Sequence, residues 1–214
     1  ALAFLRSAWA RRPAAPAVAS PPATWLIPLL IVSAAFAVRL IPILLVPDCL
    51  GGDDARFHNI LAGSILNDRR LADSWLPFAS LPVAYPQGAH VLIAFLADIT
   101  GLPVHQAFNS LTPTLGALTA GMIYLIAETI FRSNRSAAWA SACYAFLPLW
   151  GSLDYHRWGG VPNALAMFMA CLLLYVILHG LTASGEKRQL PLLAAALLGV
   201  TILTSLSHDD MVEL

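Results

Sequence analysis

Long apolar runs separated by short polar segments dominate the chain. A helix needs about 20 apolar residues to cross a bilayer core. Runs of about that length fall at residues 25–46, 107–131, 137–153, 161–181 and 190–206. They predict an all-α protein, a polytopic transmembrane helix bundle. The third run is shorter than the two before it and carries Pro148 near its end. A further run, HVLIAFLADITG at 90–101, is too short to cross and reads as an interfacial or half-inserted helix. Gly116, Ala120 and Gly121 in the second run suit close helix packing. Residues 1–24 form a basic, Pro/Ala-rich lead-in. The first run does not read as a cleaved signal peptide: it is too long, contains Arg39, and is followed by no small-residue cleavage site. The chain opens on Ala1 and stops at Leu214 just after an apolar run, as expected of part of a longer protein.

Composition agrees with the pattern. Of 214 residues 58% are hydrophobic and 11% charged, against about 25% charged in soluble domains. A water-soluble globular enzyme and a disordered chain are both excluded. Twelve Lys and Arg against twelve Asp and Glu give no basic field for nucleic acid. Cys49, Cys143 and Cys171 are too scattered for a disulfide framework or zinc site and read as small apolar side chains.

Charge is sorted by side. Threading five spans alternately puts Arg6, Arg11, Arg12, Arg132, Arg135, Lys187 and Arg188 on one side, with only Glu128 and Glu186 against them. The other side carries five arginines and ten acids. The positive-inside rule then predicts a cytoplasmic N-terminus and an extracytoplasmic connection over 47–106. Five of six histidines (His58, His90, His105, His156 and His208) fall on that outer side. A connection of some sixty residues is usually functional, so the outer surface is where a site is expected.

Three outer segments carry candidate chemistry. In GGDDARFHNILAGSIL, residues 51–66, Asp53 or Asp54 can cap a helix, and Phe57, Ile60, Leu61, Ser64 and Ile65 recur at helical spacing. This is an amphipathic helix lying on the bilayer. Asp54 and His58, four residues apart, share one face. They suit a divalent metal or a base with its orienter, or else a cap and a solvated ring. In 73–90, Pro77, Pro82 and Pro86 oppose regular helix. With Trp75 and Tyr85, that loop shapes a substrate groove or anchors at the interface. In LDYHRWGGVPN, Asp154, His156 and Arg157 precede Gly159, Gly160 and Pro162, a tight turn into a helix. Arg157 suits a phosphate or a phospholipid headgroup. SLSHDDMVEL adds His208, Asp209 and Asp210 on the same side.

Arg39 lies seven residues inside Val46. An arginine within a span is costly and marks a functional candidate. It is expected to snorkel outward, pair with an outer Asp or contact a lipid phosphate. Asn134-Arg135-Ser136 matches a glycosylation acceptor but falls on the cytoplasmic side of this topology. The sequence contains no Walker loop, dinucleotide fingerprint, serine elbow or HExxH.

The order is a basic N-terminus, a span with Arg39-Leu40, GGDDARFHNI at 51–60, YPQGAHVLIAFLADITG at 85–101, and WGGVPNALAM at 158–167. It resembles the N-terminal part of GT-C membrane glycosyltransferases of the prokaryotic, polyprenyl-phosphate-sugar-dependent type, over residues 25 to about 210. More distantly, it is similar to oligosaccharyltransferase catalytic subunits. The resemblance implies transfer of a sugar from a polyprenyl-phosphate-linked donor to an acceptor at the extracytoplasmic face of a cell membrane. It also implies an Asp of the first outer loop as base or metal ligand. Carried over, that residue is Asp54 or Asp53, with Asp54 favoured by its spacing to His58. On charge grounds Arg39 and Arg157 are candidates for the donor phosphate, and Tyr85, His90 and His156 join them as candidate substrate contacts. No D-x-D pair is present, unlike in the oligosaccharyltransferase relatives. A divalent cation, Mg or Mn, therefore stays open, with Asp54, His58, Asp154 and His208 as candidate ligands. Complete members of the family are longer, with further spans.

Two other classes fit the same pattern. One is a non-catalytic membrane subunit scaffolding a larger complex, with the outer loop as its docking surface. The other is a transporter fragment, disfavoured because the acids sit at the surface and not at mid-membrane.

Overall fold

The computed structural model describes residues 25–45, 52–76, 80–83, 86–147, 160–182, 194 and 196–199. Six helices organise them: α1 (Leu26–Leu45), α2 (Gly52–Asp68), α3 (Gly88–Thr100), α4 (Val104–Phe131), α5 (Asn134–Phe146) and α6 (Val161–Thr182). The described residues contain no strand, only an isolated bridge between Ser74 and Pro82. The all-α bundle expected from the apolar runs is what forms.

Among the described residues three helices are long and apolar enough to cross a membrane: 26–45, 104–131 and 161–180. They match the first, second and fourth runs. The apolar side chains of α1 and α6 largely face outward, as in Leu29, Leu30 and Leu44 of α1, where lipid rather than protein would cover them, whereas α4 is far more buried. The third run behaves differently. Its helix is Asn134–Phe146, 13 residues, about 20 Å at 1.5 Å per residue and short of a roughly 30 Å core. Leu147 is already extended, with φ −76° and ψ 133°. It precedes Pro148, and the residue before proline is driven out of the α region. Most of the fifth run, 190–206, lies outside the described residues.

The long helix α4 is the spine. Arg39 of α1 lies over Gly116 of α4, and Val32 lies beside Gly121, so α1 and α4 run antiparallel. Ser141 of α5 donates to the Ala120 carbonyl at 2.7 Å, while Ala137 packs with Tyr124 and Ala127; this pair is antiparallel too. The α4–α5 connection is short because Arg132 adopts the left-handed conformation (φ 53°) and Ser133 caps α5 by accepting from Ser136 N–H. At the opposite end, Gly101 (φ 69°) closes α3 and Pro103 opens α4 two residues later. Val161 and Ala164 of α6 share a core with Ala107, Phe108 and Leu111. The end of α1 and the starts of α4 and α6 therefore meet at one mouth, and α2 and α3 pack there.

Arg39 does not snorkel. It is 1% exposed, the largest fully buried side chain among the described residues. Its guanidinium donates to the Ala35 carbonyl at 2.9 Å and lies 6.0 Å from the centre of the Tyr144 ring, at the edge of cation–π range. The stem crosses α4 where Gly116 leaves room. A Cβ at Gly116 would overlap Arg39 Nε and lie 2.7 Å from its Cδ. Gly116→Ala is therefore expected to destabilise the bundle by about 1–3 kcal/mol, read from the unfolding midpoint in lipid nanodiscs. The clash requires the long side chain, so adding Arg39→Leu should cost less than the two separate losses combined.

Candidate functional site

The mouth is roofed by α2 and α3, which lie side by side and run in the same direction. His58 faces His90 near their starts, and Arg69 meets Asp98 near their ends. The chain returns between them through a strap. There Trp75 N–H donates to the Leu81 carbonyl and Val83 N–H to the Asp73 carbonyl. Gln87 clasps the strap's base with two hydrogen bonds to the backbone of Ala72, at 2.9 and 2.8 Å. The prolines of this stretch exclude helix, and the bridged strap is the result.

The seam between α2 and α3 is lined by small residues, including Ala55, Ala62 and Ala97 with Ile93. Two imidazoles meet across it. His58 Nδ1 and His90 Nε2 are 2.9 Å apart, and the rings are 5.0 Å apart and tilted 46°. One nitrogen donates and the other accepts. Phe108 of α4 also stacks with His58, at 6.3 Å and 23°. His58 is 8% and His90 0% exposed. Both rings are held below the ordinary imidazole value, about 6.5. For His58 burial is the main cause, opposed by the Asp54 carboxylate one turn earlier. For His90 burial and the neighbouring His58 ring push the value down to about 4, with the Pro86 and Gln87 carbonyls working the other way.

At the other end of the seam, Arg69 grips Asp98 in a two-bond fork at 2.7 and 2.8 Å. The hydrogen bond and the charge of Asp98 raise the arginine, and Arg69 lowers the carboxyl. Both side chains are solvent-accessible, and such exposed pairs contribute little. On the outward face of α3, Val91, Phe95 and Ile99 are exposed, spaced four apart, as in a helix lying at a bilayer surface.

The expected site residues are distributed as follows. Asp54 is exposed in the first turn of α2, where a carboxylate is favoured by the helix dipole. Asp53 is in the same turn. His58 is not a solvated ring: it is buried against His90 and Phe108 because the inward face of α2 is set by Ala55, His58, Leu61, Ala62 and Ile65. Phe57, assigned to the greasy face from spacing, is 55% exposed and sits edge-on to Trp75 at 6.0 Å. His90 lies beneath the surface, and Arg39 lies inside the bundle rather than at its mouth. Tyr85, Asp154, His156, Arg157 and His208, with Asp209 and Asp210, fall outside the described residues. Spacing had placed Asp54 with His58 but gave no sign that His90, 32 residues away, completes the cluster.

Among the described residues no three His, Cys, Asp or Glu side chains come together as a metal site, and His58 Nδ1 is already engaged by His90. Of the four candidate cation ligands only Asp54 and His58 lie among the described residues, and no step is assigned to a cation.

The described residues define a helical bundle with three membrane-length helices and a two-helix roof over one end. No family model matches the chain, and neither characterised proteins nor solved structures show a match to it.

The histidine pair makes the roof acid-sensitive. Because the docked rings take up protons below the ordinary value, docking is fully favoured above about pH 6.5 and weakens as pH falls toward about 4. Imidazole nitrogen shifts and amide exchange in α2, followed from pH 7 to 4, should report ring protonation and loss of α2 protection together.

Proposed function

We infer that the protein is a membrane glycosyltransferase of the GT-C type, transferring a sugar from a polyprenyl-phosphate-linked donor at the extracytoplasmic surface. The observation that carries this reading is the placement of Asp54. A carboxylate is held exposed on the first turn of a helix that roofs the bundle mouth, between a membrane-length helix before it and a short apolar helix after it. This is the element order that suggested the family. The charge split between the loops supports an extracytoplasmic mouth.

The chemistry suits that position. Transfer needs a base to take the proton of an acceptor hydroxyl as the sugar moves from its phosphate carrier. The Asp54 carboxylate is open to an acceptor arriving from water. A lipid-borne donor must arrive sideways, and a groove of about 310 Å³ lined by Val32, Ser33, Phe36, Thr114, Ala117 and Leu118 opens laterally between α1 and α4. Arg157 remains the candidate for the donor phosphate on charge grounds.

A second reading, a non-catalytic subunit of a larger assembly, draws on the exposed flanks of α1 and α6, which other helices could cover as well as lipid. One experiment separates the two. Asp54→Asn in the full chain should lower sugar transfer from polyprenyl-phosphate-hexose in membranes by about 10²–10⁴-fold, with the unfolding midpoint unchanged. Transfer at the wild-type rate would remove Asp54 as the base. No transfer by the wild-type chain, with stable co-purification in a larger complex, would favour the subunit.

A further inference from the structure

We propose that His90 is the positioning residue of the site: through its bond to the His58 ring it fixes the α2 turn that carries Asp54 over the bundle mouth. The reach from His90 to Asp54 is short and passes through one helix. His58 follows Asp54 by one turn of α2, so the two rise from the same strip of helix surface. The His58 ring is contacted from two helices, by His90 of α3 at 2.9 Å and by the stacked Phe108 of α4. A second polar tie, the Arg69–Asp98 fork, lies eleven residues further along the chain, just past the end of α2, and is open to solvent. It cannot set the position of the first turn. The rest of the buried seam is apolar, with Ala55, Ala62, Ala94 and Ala97 beside Leu61, Ile65 and Ile93, and such contacts are non-directional, with no bond that selects one register. A buried donor–acceptor pair does fix register: a displacement of α2 breaks it and leaves two ring nitrogens away from water.

The assignment of His90 to α2 rests on geometry alone. Its consequence for turnover rests on the reading of Asp54 as the base, since misplacing a reacting group by about 1 Å can cost about 10²-fold in rate. Glutamine at 90 can place an amide nitrogen or oxygen near the Nε2 position, whereas alanine and leucine cannot.

The test compares the wild-type full chain with His90→Ala, His90→Leu, His90→Gln and Arg69→Ala in nanodiscs at one neutral pH. It reads amide exchange across residues 52–60 and steady-state transfer from polyprenyl-phosphate-hexose. His90→Ala should raise exchange there by about 10- to 100-fold and lower kcat with little change in donor KM. His90→Gln should restore both toward wild type, and Arg69→Ala should change neither. If His90→Ala fails to accumulate, His90→Leu, which fills the space without a ring nitrogen, carries the same comparison. Exchange at the wild-type level in both apolar variants, or His90→Gln as impaired as His90→Leu, overturns the proposal. Exchange that responds as expected in a chain showing no sugar transfer leaves the positioning role standing and removes the transferase reading instead.

Discussion

The close approach of α1 to α4 is the constraint from which the rest of the architecture follows. In lipid, two helices gain little from apolar contact alone and are held by packing of small residues. Here Ala35 meets Ala117 and Ala120, and Gly116 admits the stem of a buried arginine. The arginine is tolerated inside a span because a backbone carbonyl and an aromatic face receive it. The antiparallel pairing then decides where the intervening chain must go. Residues 46–103 leave and return at the same end of the bundle, so α2 and α3 are set over the mouth by topology before any contact of their own is made.

Contacts between α2, α3 and the start of α4 refine that placement. The buried part is an apolar seam, alanines with Leu61, Ile65 and Ile93, crossed by the His58–His90 pair, and the exposed part is the Arg69–Asp98 fork. Removing water from the two imidazoles makes them hold their geometry and disfavours their charged forms.

The membrane-length helices were legible in the sequence because their signal is local: apolar runs near residues 25–46 and 161–181 correspond to α1 and α6 almost residue for residue. The shortened third helix was also written locally, in Leu147-Pro148, but a hydrophobic run alone does not show that its end is extended. Asp54 and His58 could be paired by spacing. Which face of α2 is buried could not: a helix between lipid and protein has two apolar environments, and Phe57 went to the strap while the alanines and His58 went inward. A sign of His90's burial was present, since it shares a strip of α3 with Ile93, Ala94 and Ala97. Its partner, 32 residues away, is set by tertiary packing, as is the match of Arg39 to Gly116. Such pairs have no periodicity to read.

The proposed orientation, with α2 and α3 over an extracytoplasmic mouth, is tested most directly by impermeant maleimide labelling of intact cells. Single cysteines would replace exposed Asn67 at the end of α2 and exposed Arg135 at the start of α5, with Cys49, Cys143 and Cys171 changed to serine. The orientation predicts that position 67 labels from outside and position 135 only after permeabilisation. Labelling of both from the same side, or of 135 alone in intact cells, would contradict it.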